Sequence, residues 1–276
     1  MNPADRALAS TLDTIEAEAY ADLLAAAPTP VTQAMGLHVE RIADATLLVA
    51  TAAPIPLFNR VIGLGNTVPA TQDTLDLVLD RYRALGARTV WVHVGGALNA
   101  DDLRAWLVAR GFAPPPRRTW AKVYRSTEEP PSIATPFAVR PVPLEHAEAL
   151  ARVVATAHGM PPPTVPWVAA LVGRPDWRAY GAYDGDTLVG GAFLWVRGPH
   201  AWLGMGGTLE AHRRRGAQGA MMVARIRDAI ASGCTVLTTE TGEPIQGEHN
   251  PSLANMLRCG FVRVCARENH APGAWP

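Results

Sequence analysis

The stretch that decides the fold is HRRRGAQGAMM, residues 212–222. Three consecutive arginines run into Gly216, and an apolar pattern with helical spacing begins directly after it. A helix N-terminus presents backbone N–H groups without intrahelical partners and a partial positive charge. A glycine there lets the backbone approach a ligand closely, and the arginines add full charges. The stretch therefore predicts an anion-binding loop that suits a diphosphate. The alternative is a solvated basic turn.

A strand interrupted by glycines precedes this loop. Its sequence is HAWLGMGGTLE, residues 200–210, with glycine at 204, 206 and 207. Glycine inside a strand weakens it and often marks a bulge or the close approach of a ligand or another backbone. The strand is therefore a second candidate for ligand binding, and the alternative is that the glycines only permit packing against a helix.

The second half of the chain alternates strand and helix patterns. Asp184-Gly185 marks a hairpin turn between two strands. Gly260 is a candidate C-cap for a short helix. In order, the pattern predicts a strand at 135–142, a helix at 144–159, the hairpin at 177–197, a strand at 200–210, a helix at 216–233, a strand at 234–241, a helix at 251–261 and a strand at 262–268.

The first half repeats much of this order. It predicts a strand at 57–65, helices at 71–86 and 101–112, and strands at 88–94 and 119–125. Both halves contain a helix ending in glycine, a strand, a helix ending in Gly-Phe and a strand, which indicates an internal repeat. The polar, proline-rich segment STEEPPSIATP, residues 126–136, suits a linker. We therefore expect two tandem α/β domains, 1–126 and 137–276, each a mixed sheet flanked by helices.

The arginine stretch resembles the pyrophosphate loop of the GNAT superfamily of N-acetyltransferases. That signature reads Arg/Gln-x-x-Gly-x-Gly/Ala between a strand and a helix, and Arg213, Gly216 and Gln218 occupy its three positions. Gln218 departs from the usual small residue. The element order of residues 137–265 also resembles the GNAT fold. The first half is similar to a degenerate copy, because its strand–helix junction lacks arginine and carries Pro69. Acetyl-CoA, as co-substrate, is thus expected to bind the second half only.

The resemblance implies which residues contact acetyl-CoA. Gly206 is expected to donate its N–H to the thioester carbonyl and so to be catalytic, while Thr208 contacts the pantetheine arm. Ser252 and Asn255 are placed near the same arm, with helix capping or surface exposure as the alternative. The full expected set is Gly206, Thr208, Leu209, Arg213, Arg214, Arg215, Gly216, Ala217, Gln218, Gly219, Ala220, Ser252 and Asn255.

The catalytic chemistry requires a group that moves a proton. An alkyl amine has a pKa of ~10.4, so it is almost wholly protonated at neutral pH and needs a base. Glu240 ends a predicted strand at the point where GNAT strands part, so it is the expected base, directly or through a water; His249 is second. The alternative for Glu240 is an exposed or salt-bridged carboxylate. Many GNAT enzymes use a tyrosine to protonate the thiolate, and that position is Met256 here.

The resemblance implies an enzyme, a GNAT-type acyltransferase that moves an acetyl group from acetyl-CoA to a primary amine of a small molecule. A non-catalytic, CoA-binding regulatory pseudoenzyme and a transferase of longer acyl groups are the alternatives. The loop HGMPPPTVPW, residues 158–167, is expected to form one wall of the acceptor pocket, with an apolar face from Met160 and Trp167. The first half either closes one side of this pocket or stands in for a second subunit.

Composition limits the partners. The 25 basic and 25 acidic residues cancel, which removes the usual electrostatic argument for nucleic-acid binding. With 48% hydrophobic and 18% charged residues the chain is globular, and we expect no membrane span and a cytoplasmic location. The three cysteines and eight histidines lack metal-ligand spacing, so no metal is expected. The tandem arrangement favours a monomer or a weak homodimer.

Overall fold

The computed structural model describes residues 1–53, 55–113, 119–244 and 248–275. Its helices are α1 (Pro3–Ala25), α2 (Thr29–Met35), α3 (Gln72–Ala84), α4 (Ala100–Ala109), α5 (Ala147–His158), α6 (Val165–Ala169), α7 (Ala217–Ala231) and α8 (Pro251–Arg258). Its strands are β1 (Leu37–Ile42), β2 (Ala45–Ala50), β3 (Arg60–Ile62), β4 (Trp91–Val94), β5 (Phe112–Ala113), β6 (Thr119–Arg125), β7 (Ala138–Pro141), β8 (Trp177–Asp184), β9 (Thr187–Arg197), β10 (His200–Thr208), β11 (Val236–Gly242) and β12 (Val262–Pro272).

One mixed sheet runs through the whole molecule. Its strand order is β1-β2-β3-β4-β12-β6-β11-β10-β9-β8-β7, and β5 pairs with β12. The pairs β3–β4 and β10–β11 are parallel, and the remaining pairs of the described strands are antiparallel. The predicted fold class, a mixed sheet flanked by helices in a tandem arrangement, is therefore confirmed.

The two halves of the sequence exchange strands at the centre of this sheet. Strand β6, from the first half, lies between β11 and β12 of the second. Strand β12 continues past β6 and pairs with β4 of the first half. The hydrogen-bonded ladder thus crosses between the predicted domains 1–126 and 137–276, whose boundaries stay a prediction.

The helices form where their sequences favour them. Helix α3 carries apolar residues at helical spacing, and all four, Leu75, Val78, Leu79 and Tyr82, are buried. Thr71 caps this helix, since its side chain accepts a hydrogen bond from the Thr74 N–H at 3.0 Å. In the second half Asn250 caps α8, which leaves Ser252 free of that role.

Helix α1 has no counterpart among the predicted elements, yet it covers the centre of the sheet. It packs on β1 and β2 of the first half and on β10, β11 and β12. Leu12, Ile15 and Leu23 on its inner face are buried, together with two carboxylates, Asp13 and Glu16. Helices α1 and α5 share one hydrophobic cluster. Helices α7 and α8 pack on the opposite face, in a separate cluster.

Two further features bear on the predictions from composition. The three cysteines, Cys234, Cys259 and Cys265, are buried free thiols. Among the described residues no helix is long and apolar enough to cross a membrane, and no cluster of histidine, cysteine and acidic side chains could hold a metal ion.

Candidate active site

The candidate site lies where β10 and β11 separate. The two strands pair in parallel at three positions, the last of which joins Trp202 to Thr238. The Thr239 hydroxyl donates to the Leu203 carbonyl at 2.7 Å, just beyond that point. Past this bond the strand pairing ends, so β10 presents backbone groups to a wedge-shaped opening in the sheet.

A β-bulge lies on β10 at this opening. The pairing with β9 shifts between Gly204 and Gly207, so Met205 and Gly206 together face one residue of β9. Met205 has a φ of 52°, an unusual value for a residue with a side chain. A Cβ built on Gly204 would lie 1.7 Å from the Trp202 ring, so only glycine fits there. The bulge expected from the strand glycines is present.

Arg225 of α7 holds the bulge through hydrogen bonds to its backbone. The sequence analysis does not place this residue in the site. Its Nη1 donates to the carbonyls of Phe193 at 3.0 Å and Gly204 at 3.3 Å, and its Nε donates to the Met221 carbonyl. Burial lowers the pKa of this guanidinium to about 10. The available signal was one arginine on the buried, otherwise apolar face of α7.

The arginine loop follows β10 and leads into α7. Arg213 donates through Nε to the Thr208 carbonyl at 3.1 Å. The Arg215 guanidinium stacks on the Phe137 ring at 4.6 Å and lies 3.4 Å from Asp184. Arg214 is exposed. Two of the three arginines therefore fix the loop to the protein as well as adding charge to it.

Gly216 starts α7 in a conformation that favours glycine. Its φ is 84°, and a Cβ built on it would lie 2.4 Å from the Ala134 carbonyl oxygen. The first intrahelical bond runs from Ala220 N–H to the Gly216 carbonyl at 3.0 Å. The N–H groups of Ala217, Gln218 and Gly219 lie in the first turn and have no intrahelical acceptor.

Three predicted cofactor residues meet beside this turn. The Gln218 amide accepts a hydrogen bond from Asn255 and lies 3.5 Å from the Ser252 hydroxyl. The Thr208 hydroxyl is buried without a hydrogen-bond partner in the described part of the chain. The structure therefore groups the expected acetyl-CoA residues along one edge of the opening, although none of these contacts tests their role.

Glu240 lies at the same opening, on the face that α1 covers. Only 4% of its side chain is exposed, and the Lys122 ammonium lies 3.4 Å from its carboxylate. The indole N–H of Trp202 donates to both carboxylate oxygens, at 3.1 and 3.2 Å. Burial and the nearby Glu16 raise the pKa of Glu240, while Lys122 opposes that shift. A raised pKa suits a carboxylate that accepts a proton near neutral pH.

Glu240 belongs to a buried ion cluster centred on Glu16 of α1. Glu16 accepts from Arg60 at 2.8 Å and from Lys122 at 2.6 Å, and it also contacts Arg267. Burial would raise the pKa of Glu16, but these three cations outweigh it and hold the pKa well below the usual value. The cluster therefore links the first half of the chain to the predicted base.

The structure gives less support to the two other positions considered for catalysis, His249 and Met256. His249 is exposed ahead of α8, and no hydrogen bond joins it to Glu240 within the described ranges. Met256, at the position of the tyrosine acid, is buried in the core of the second half. Both functional assignments stay predictions.

A small apolar cavity of about 10 Å³, enough for at most one water, lies on the α1 side of the bulge. Met160 and Trp167 of the proline-rich loop contribute to it, and the Trp167 indole N–H donates to the Leu23 carbonyl at 2.6 Å. Because Leu23 and Phe58 come from the first half, that half closes one side. The lining residues are Leu23, Phe58, Met160, Trp167, Val168, Leu171 and Met205.

The corresponding loop of the first half is occupied by the protein itself. The Asp44 carboxylate accepts from the N–H groups of Gly65 at 3.1 Å, Thr67 at 2.8 Å and Val68 at 3.3 Å. These donors lie between β3 and α3, the junction that corresponds to the arginine loop. A carboxylate of the chain therefore takes the place of an external anion.

Comparisons with known proteins concern the fold and the domain that contains this site. Residues 135–243 match the family model of the acetyltransferase (GNAT) domain. No curated protein matches the chain. A GCN5-related N-acetyltransferase from Kribbella flavida has a similar fold, with a TM-score of 0.63 and 14% identity over 88% of this chain and 93% of that one.

Two further structures share the fold. A GCN5-related N-acetyltransferase from Sphaerobacter thermophilus has a TM-score of 0.56 and 19% identity, covering 72% of this chain and 65% of its own. A tandem GNAT protein from the clavulanic acid biosynthesis pathway has a TM-score of 0.53 and 16% identity, covering 72% and 68%. At these identities the likeness concerns the fold.

Residues 135–243 match an acetyltransferase domain, which indicates an acyltransferase. The family model covers residues 135–243, less than half of the chain, and the solved structures extend the likeness of fold to the first half.

Proposed function

We propose that this protein transfers an acetyl group from acetyl-CoA to the primary amine of a small molecule, and that the second half is the active one. The observation that carries this proposal is the meeting of three features at one opening. These are the bulge at Met205 and Gly206, the uncapped first turn of α7, and the buried carboxylate of Glu240.

The residues present fit acetyl-CoA. The free N–H groups of Ala217, Gln218 and Gly219, with the arginine loop, supply donors and positive charge for its diphosphate. The unpartnered Thr208 hydroxyl and the open edge of β10 supply polar groups for the amide-containing arm. The Gly206 N–H is the donor proposed for the thioester carbonyl, where it would stabilise the developing oxyanion.

The chemistry requires removal of a proton from the acceptor. We assign this step to Glu240, directly or through a water, because its pKa is raised and its position at the opening is fixed by Trp202 and Lys122. The free amine attacks the thioester carbon, the carbon–nitrogen bond forms, and the carbon–sulfur bond breaks. Thiols titrate near ~8.5, so CoA leaves readily as a thiolate.

The cavity is itself too small for an amine, so the proposal of an acceptor with an apolar body rests on the character of its lining, whose side chains would have to move apart. Its lining combines aliphatic, aromatic and thioether side chains next to the bulge residue Met205. The buried carboxylate of Glu240 favours a cationic ammonium group on the acceptor. Small arylalkyl or alkyl primary amines satisfy both requirements.

The alternative is a pseudoenzyme that binds CoA without turnover. The buried methionine at position 256 favours it, because the structure places no phenol at the position of the tyrosine acid. If the protein instead transfers longer acyl groups, turnover with a longer acyl-CoA donor would exceed turnover with acetyl-CoA.

Thiol release from acetyl-CoA tests the proposal. The acceptors are benzylamine, phenethylamine, tryptamine and hexylamine, and propionyl-CoA and hexanoyl-CoA serve as alternative donors. We expect turnover with acetyl-CoA, and a fall in kcat of roughly a hundredfold or more in Glu240→Gln. Glu243→Gln is the matched control, since Glu243 pairs with Arg263 at 2.7 Å outside the opening. Tight acetyl-CoA binding without turnover of any pair would favour the pseudoenzyme.

Binding of acetyl-CoA is tested separately by calorimetry. Arg213→Ala combined with Arg215→Ala should raise the Kd at least about tenfold, or ~1.4 kcal/mol, and more so at low salt. Arg227→Ala is the control, because Arg227 lies on the same helix and pairs with Glu129 at 2.8 Å. An unchanged Kd in the double variant would contradict a role of the loop in cofactor binding.

A further inference from the structure

His158 lies directly against the bulge. It is the last residue of α5, and a Cβ built on Gly207 would lie 3.3 Å from its Nε2 and 3.4 Å from its Cδ2. The same imidazole forms a hydrogen bond with the Met205 backbone. Because α1 and α5 cover the same face of the sheet, the ring lies on the side of β10 that borders the acceptor cavity.

The surroundings of His158 keep the ring in place and uncharged. Arg213 donates to the carbonyl of the preceding residue, Ala157, at 3.4 Å, so the end of α5 is fastened to the arginine loop. His158 is exposed as a residue, but one edge of its ring is covered by Gly207 of β10. That burial, together with the charge of Arg213, lowers the pKa of His158, and the Met205 hydrogen bond only partly opposes the shift. A lowered pKa favours the neutral ring, which is the form that can accept a proton.

The acceptor nitrogen releases two protons during the reaction. An ammonium acceptor loses one proton before it attacks and another after the carbon–nitrogen bond has formed. Glu240 is assigned the first of these. The position of the tyrosine acid is Met256, which is buried, so the thiolate has no phenol there to protonate it.

We propose that His158 takes the second proton from the acceptor nitrogen and passes it to the CoA thiolate. This inference rests on the proposed function. The nitrogen lone pair forms the bond to the thioester carbon, and the nitrogen becomes cationic. Its proton moves to a ring nitrogen of His158, the carbon–sulfur bond breaks with its electron pair on sulfur, and the imidazolium returns the proton to sulfur. A thiolate, with a thiol pKa near ~8.5, is the stronger base, so this transfer is downhill.

The kinetic test compares two histidines of the same helix. We expect His158→Gln to lower kcat about tenfold or more with the amine panel, while the Kd for acetyl-CoA stays within about twofold. In the pH profile of kcat, the acidic limb that arises from protonation of the imidazole should disappear in His158→Gln. Added imidazole should partly restore the activity of His158→Ala. His146→Gln is the control, because His146 is exposed at the other end of α5.

A binding experiment tests the placement without an acceptor. The His158 ring signals are assigned by their absence from the NMR spectrum of His158→Gln, and acetyl-CoA is added to saturation. We expect these signals to shift and those of His146 to stay. Unmoved His158 signals, or an active wild type with full kcat in His158→Gln, would overturn this inference alone. A wild type without turnover on any amine would overturn the proposed function itself.

Discussion

The Asp44 carboxylate accepts a hydrogen bond from the Thr67 backbone N–H at 2.8 Å. The two residues lie 23 positions apart, on the β1–β2 turn and on the loop that leads to α3. This contact gives the first half an internal anion at the junction that corresponds to the start of α7, where we propose that the second half binds a diphosphate. The relationship explains in physical terms why only the second half is proposed to bind acetyl-CoA.

Replacing Asp44 should therefore weaken the fold and leave cofactor binding intact. Asp44→Ala leaves three N–H donors without their carboxylate, and water can replace it only in part, so we expect a loss of roughly 1–2 kcal/mol in the free energy of unfolding. Urea denaturation measures this, with Asp73→Ala as the control on the neighbouring helix. The Kd for acetyl-CoA should not change, and a clear loss of affinity would place the cofactor in the first half.

The two ends of α7 provide a matched pair of glycines. Gly216 has a φ of 84° and Gly233 a φ of 83°, so alanine at either should cost about 1–2 kcal/mol of stability. A Cβ at Gly216 also meets the Ala134 carbonyl oxygen, whereas no atom of the described residues lies within 4 Å of one at Gly233. We expect only Gly216→Ala to weaken acetyl-CoA binding, by about tenfold, in calorimetry. Equal affinities of the two variants for acetyl-CoA would show that the start of α7 is not part of the cofactor site.

Arg225 should matter for turnover more than for cofactor affinity. Arg225→Met removes the donors to the Phe193 and Gly204 carbonyls, so the bulge loses the contacts that hold its shape. We expect kcat to fall about tenfold or more, since the Gly206 N–H would no longer be aimed correctly. Thiol release measures this, with the exposed Arg227→Met as control. Full kcat in a folded Arg225→Met protein would show that the bulge does not depend on this side chain.

Glu16 should be the most sensitive ionisable residue for stability. Glu16→Gln leaves Arg60, Lys122 and Arg267 buried with too little negative charge, and loss of one partner from a buried pair typically costs about 3–5 kcal/mol. Because the folded pKa of Glu16 is depressed, its contribution is present above the unfolded pKa and is lost as pH falls through the folded value. Denaturant unfolding at neutral and acidic pH checks both statements, with Glu18→Gln as control. Wild-type stability in Glu16→Gln would contradict the cluster's role.

The sequence was sufficient to predict the elements around the cofactor loop. The run of arginines, Gly216 and the helical pattern after it are local signals, because helix starts and glycine conformations depend on neighbouring residues. The bulge at Gly204 to Gly207 was likewise indicated by glycines inside a strand. These features are present in the structure, and their binding roles stay predictions.

The acceptor side could not be predicted in the same way. Helix α1 buries Asp13 and Glu16 on the face that packs on the sheet, so charged residues interrupt the apolar period that marks a helix. The exchange of β6 and β12 between the halves depends on strand pairing far apart in sequence. Lys122 and Trp202 acquire their relation to Glu240 only through that pairing. Local pattern carries no information on such contacts.

The crystal structure of the protein with acetyl-CoA is the most direct test of the central claim, that the start of α7 binds the diphosphate. We predict one cofactor per chain, with its diphosphate on the N–H groups of Ala217 to Gly219 and its thioester at the bulge of β10. A cofactor bound at the loop that holds Asp44, or a diphosphate away from α7, would contradict the account.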